Sequence, residues 1–92
     1  MLSPHTNEAP NDAEALALAA LAATLTDERR AQRFLDLTGL DASELRARAG
    51  QRSLLAATIA FLESHEPDLV AVAQVIGTTP ELLVQARTRL ER

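Results

Sequence analysis

Apolar residues recur at helical spacing from about Asn11 to the end of the chain, and two breaks of the same design interrupt them 38 residues apart. The first break lies in Phe34-Leu35-Asp36-Leu37-Thr38-Gly39-Leu40-Asp41-Ala42-Ser43-Glu44-Leu45 and the second in Val72-Ala73-Gln74-Val75-Ile76-Gly77-Thr78-Thr79-Pro80-Glu81-Leu82-Leu83. Each reads as an apolar helix, a stopping glycine, a spacer, a capping residue and a new helix carrying leucine on its inner face. Helix one is expected from Asn11 or Asp12 to about Leu25, with Leu18, Leu21 and Leu25 on its inner stripe and Leu16 widening it. Thr26 reads as the cap of helix two, which presents Ala31, Phe34, Leu35 and Thr38, extended by Leu37, and stops at Gly39. Asp41 and Glu44 form a capping-box variant opening a short helix three that ends at Gly50. Helix four covers roughly Arg52 to Ser64, with Leu54, Leu55, Thr58, Ile59, Phe61 and Leu62 inward. Helix five, Pro67 to Ile76, is apolar nearly all round, which predicts a central position. Gly77 stops it, Thr79 caps helix six and Pro80 takes that helix's first position, with Leu83, Ala86 and Leu90 inward.

The expectation is an all-α, compact bundle of about six short helices. A 38-residue shift pairs Glu28 with Glu66, Gly39 with Gly77 and Leu45 with Leu83, and so predicts two similar three-helix halves. Two units are too few for an open solenoid.

Composition narrows the chemistry. Ninety-two residues hold one core, with about 64% of the unfolded surface buried by size scaling. Phe34 and Phe61 are the only aromatics, so small aliphatic side chains must supply that core. Cysteine is absent, which removes disulfides, thiolate metal sites and cysteine nucleophiles and suits a cytoplasmic location. Met1 to Asn11 has neither a basic nor an apolar segment and is expected to be a disordered tail, not a signal peptide, leaving 12–92 as a single helical domain. No apolar run reaches the ~20 residues of a membrane span.

The net charge of −4 does not draw the chain to nucleic acid or anionic membrane. Helices 67–76 and 80–91 have the spacing of a helix-turn-helix, with Ala73, Gly77 and Leu83 at its corner and Glu81, Val84 and Gln85 on the groove-facing start. On the second helix, however, Arg87, Arg89 and Arg92 are offset by Glu81, Glu91 and the terminal carboxylate, whereas DNA binders neutralise several phosphates. Nucleic acid is therefore not the expected partner. Arg46, Arg48 and Arg52 form the one locally cationic cluster; they complement the negative end of helix three or dock an acidic partner. Arg29, Arg30 and Arg33 are read as surface residues offset by Asp27, Glu28 and Asp36.

No metal, cofactor or catalytic site is expected. Glu63, His65, Glu66 and Asp68 hold a single histidine, thin for zinc, and helix-end electrostatics explain their placement. Ser64 and His65 are chain neighbours whose side chains diverge on a helix, and no glycine-rich phosphate loop is present.

Arg33-Phe34-Leu35-Asp36-Leu37-Thr38-Gly39-Leu40-Asp41 followed by Leu45-Arg46 resembles the core signature of a short bacterial family of unknown function, the one numbered thirty-five seventy-two, found mainly in alphaproteobacteria. Ala17 to Ala22, Leu54-Leu55-Ala56-Ala57 with Phe61-Leu62, and Gly77 with Pro80-Glu81 extend the resemblance from Asp12 to Leu90. It implies an all-helical bacterial protein and brings no activity, cofactor or site residues. The function itself is not named by any motif. The best expectation is a small cytoplasmic adaptor, a monomer or weak homodimer, binding a protein partner through Arg46, Arg48 and Arg52 or through an apolar patch including Val84 and Gln85. A degenerate helix-turn-helix and a small-ligand-binding bundle are the alternatives.

Overall fold

Both stopping glycines adopt the left-handed backbone that their position demands. A computed structural model of the chain describes residues 9–92 as six helices: α1 (Ala9–Thr26), α2 (Glu28–Thr38), α3 (Ala42–Ala47), α4 (Arg52–Glu63), α5 (Glu66–Ile76) and α6 (Pro80–Leu90). Gly39 closes α2 at φ 74° with its N–H donating to the Leu35 carbonyl at 2.9 Å. Gly77 closes α5 at φ 78° in a Schellman arrangement, in which Thr78 donates to Ala73 and Gly77 to Gln74. Asp41 and Glu44 complete the expected capping box, and Thr79 Oγ1 accepts from the Leu82 N–H at 3.2 Å.

Several boundaries differ from the expectation. Helix α1 begins at Ala9, ahead of Asn11 and Asp12, because Pro10 in a first turn lacks only a donor that would be orphaned there. Residues 1–8 of the expected tail lie outside the described residues. Asp27, not Thr26, caps α2, accepting from the Arg30 N–H at 2.9 Å, while Thr26 ends α1 by donating to Ala23. Helix α3 stops at Ala47, and the chain turns through residues 48–50 with no left-handed backbone at Gly50.

The centre of the bundle is α1 and α4, with α6 laid against both. In α1 the buried face is small: Ala13, Ala17, Ala20 and Thr24, with Leu21 and Ala23 beside them. Alanine lets neighbouring backbones close in, and it turns the longer leucines outward: Leu18 is 47% exposed and Leu25 39%. Helix α4 buries all six of its expected inner residues. Its fully buried Thr58 donates to the Leu54 carbonyl, as Thr24 does to Ala20, so neither hydroxyl is left unpaired. Phe34 and Phe61 meet edge to face at 5.1 Å between ring centres. Helix α5 is not central: it buries Leu69, Val72 and Ala73 against α1 and α4, while Val75 is 74% exposed. A helix is covered by what packs on it, whatever its own apolarity, and here α1 and α4 occupy the middle.

Helix boundaries repeat at the 38-residue shift. Glu28–Thr38 maps onto Glu66–Ile76, and the starts of α3 and α6 correspond at Ala42 and Pro80. Two ion pairs join positions that are each other's equivalents, Glu14 with Arg52 at 3.0 Å and Arg30 with Asp68 at 3.0 Å. The halves are nevertheless not packed symmetrically: α1 lies against α5 and α6, whereas α2 and α3 make no comparable contact with α4. They differ in the third helix, which has 6 residues in α3 and 11 in α6.

Candidate functional site

Where α3 falls short, the first half stays open. A crevice of about 430 Å³ runs between α1, α2 and α3, with Leu18, Leu21 and Leu25 on one wall and Leu35 and Leu45 opposite. Arg46 is its one charged lining residue, and the rest of the lining is alanine. The second half is shut at the equivalent positions. Ala56 stands where Leu18 does and is buried, Leu83 matches Leu45, and Arg87 and Glu63, paired with each other, take the places of Ala49 and Leu25. Sequence periodicity puts Leu18 and Leu25 on the inner stripe; they face this crevice and solvent instead. The alanine register of α1 carries the signal, since Ala13, Ala17, Ala20 and Thr24 trace a continuous helical stripe of their own.

The expected arginine cluster divides. Arg46 lines the crevice and Arg48 is the exposed C-terminal cap residue of α3; neither has an ion-pair partner among the described residues. Arg52 is committed elsewhere, donating to Glu14 at 3.0 Å and to the Arg89 carbonyl at 2.9 Å, which ties α4 to α1 and α6. Val84 is half-buried. Gln85 is exposed and lines a second groove, of about 480 Å³, with Ala13, Leu16, Ala19, Leu82 and Arg89. The five residues therefore do not line one cavity. Helices α5 and α6 are bent by 96° across Gly77, an angle a helix-turn-helix also uses, and Leu83, Ala86 and Leu90 of α6 are buried in the bundle.

The acidic groups near the α4–α5 turn are bound up in ion pairs. Asp68 is buried and receives Arg30, Arg33 and His65, the last with Nδ1 at 3.0 Å. Arg30 and Arg33 thus serve a carboxylate distant in the chain, not the neighbouring acids expected to offset them. Burial pushes the Asp68 carboxyl up, but hydrogen bonds from His65, Arg30 and Arg33, with the charge of Arg33, outweigh it and hold the group below its ordinary value. Arg33 also lies 5.5 Å from the centre of the Phe61 ring. Arg87 bridges Glu63 and Glu91, and those two partners raise its pKa further. Ser64 donates to the Phe61 carbonyl at 2.6 Å while its neighbour His65 turns to Asp68. No three acidic or histidine side chains among the described residues converge as a metal site.

No single helix among the described residues is long and apolar enough to cross a membrane; α5 and α6 reach that length and composition only together, across their 96° bend. No curated protein and no solved structure matches the chain. The family described as "Protein of unknown function (DUF3572)" matches residues 10–92, which covers all six helices but for the first residue of α1, and the chain belongs to that family.

Proposed function

We propose that this chain is a non-enzymatic protein-interaction module of the bacterial cytoplasm, and that the crevice between α1, α2 and α3 is its working surface. One observation carries the reading: Leu18 and Leu25 stand exposed along a nearly all-apolar cleft whose counterpart in the other half is packed shut. Leaving such side chains in water forgoes about 1 kcal/mol or more each, which a binding surface recovers when it is covered. Arg46 and Arg48 add unpaired cationic donors at the α3 wall. Nucleic acid is not the partner in this reading, because α6 balances its arginines with acids and Arg87 is already held by Glu63 and Glu91.

The test is capture of tagged full-length protein from its native cytoplasm in low salt, run beside Leu18→Glu and Arg46→Glu variants of unchanged helix content. A partner retained near one-to-one by the wild-type chain and lost with Leu18→Glu is the expected result. Equal recovery on both chains would overturn the crevice as the surface, and nucleic acid released by salt would overturn the protein partner.

A further inference from the structure

Helices α2 and α3, with the turn between them, form an arm set apart from the rest of the bundle. Helices α1, α4, α5 and α6 all pack on one another, whereas α2 lies chiefly against α1 and α3 has no comparable contact with any helix. Burial divides the same way. Between residues 28 and 50 only Phe34 and Leu45 are fully buried, while each helix outside the arm buries three residues or more. Both ends of the arm are breaks in the helices. Asp27 alone, with extended backbone, joins α1 to α2, and residues 48–51 join α3 to α4.

The fastening is concentrated on neighbouring residues of α2. Arg30 and Arg33 reach the carboxylate of Asp68 on α5, Arg30 at 3.0 Å. Phe34, the next residue, sets its ring edge to face against Phe61 of α4, and Arg33 lies over that same ring. Helix α3 adds Leu45, which lines the crevice opposite Leu21 of α1. A segment with few buried apolar groups, bounded by two joints, opens at lower free energy than the core it rests on.

We infer that α2 and α3 swing off the four-helix core of α1, α4, α5 and α6 as one unit, with Asp68 and Phe61 as the latch. The core stays folded while the arm is open. Opening uncovers Leu21 and Phe61, both buried in the closed state. Because the arm supplies two of the three walls of the crevice, its position sets the width of that cleft. This device is independent of the interaction reading above.

Native-state hydrogen exchange of the full chain, followed by NMR at rising urea below the unfolding transition, reads the opening amide by amide. Hydrogen-bonded amides of α2 and α3 are expected to exchange together, roughly ten-fold or more faster than those of α4 and α6, and with a shallower urea dependence. Ala86→Gly weakens α6, which packs on α1, α4 and α5, and should lower core protection about five-fold while leaving the arm unmoved. Asp68→Asn breaks the latch and should lower arm protection on the order of ten-fold or more. Arg33→Gln, a milder break, should lower it about three-fold. Arm and core amides that share one urea slope and fall together in Ala86→Gly would make the chain a single cooperative unit and overturn the arm. Different slopes in α2 and α3 would overturn their opening as one unit. Arm protection untouched by Asp68→Asn would overturn the latch.

Discussion

Asp68 is 7% exposed and holds three donors, two from α2 and one from the turn before α5, so it couples α2 to α5 through charge. Its native pKa lies below the ordinary 3.8, so its contribution is fully present above that value and is lost as pH falls through the lower native one. Asp68→Asn should cost about 2 kcal/mol at neutral pH, since Arg30 keeps little water contact to replace the carboxylate, and should flatten the acid limb of stability. Urea unfolding at neutral pH and through the acid range measures both, and an unchanged acid limb would remove Asp68 as its source. Sequence could not show this pair directly, because charge is most simply balanced by chain neighbours such as Asp27 and Asp36. The 38-residue shift nevertheless sets Arg30 over Asp68 and Glu14 over Arg52, opposite charges at equivalent positions. The glycines were more legible. Gly39 and Gly77 have positive φ, and a methyl group at either would meet no neighbour within 4 Å, so alanine there should cost about 1 kcal/mol through backbone conformation alone. Gly50 has no such backbone, and Gly50→Ala should leave stability unchanged or raise it by up to about 1 kcal/mol.

Helix existence and order could be read from capping residues and periodicity, because each cap satisfies backbone groups locally and needs no knowledge of the fold. Which face turns inward could not always be read. For α4 and α6 the leucine stripe is the buried face. For α1 it is not, since α4 and α6 approach along its alanines, and Leu37 of α2 and Val75 of α5 stand in water for want of any helix to cover them. Enlarging the α1 contact therefore tests the packing: Ala20→Leu should destabilise by about 1–3 kcal/mol through overpacking, whereas Leu18→Ala should cost under about 1 kcal/mol. Thermal or urea unfolding of the two variants distinguishes the faces, and the opposite order would return the leucines to the core.

At the scale of the molecule, α1 and α4 share a core closed by α5 and α6, and the short α3 leaves the side between α1 and α2 open. The candidate patch was half legible: the cationic end of α3 follows from the sequence, and Arg46 does line the crevice. The leucine wall did not, because its exposure depends on where α3 stops. Duplex DNA should show no salt-dependent retardation at micromolar protein, and a clear shift would revive the helix-turn-helix use of the α5–α6 corner. The most direct measurement is methyl NMR of the labelled full-length chain titrated with the partner it captures. The crevice as working surface predicts that the methyl signals of Leu18, Leu25 and Leu35 move together and saturate at one equivalent. Movement confined to Val75 and Leu82, with the crevice leucines unchanged, would contradict it.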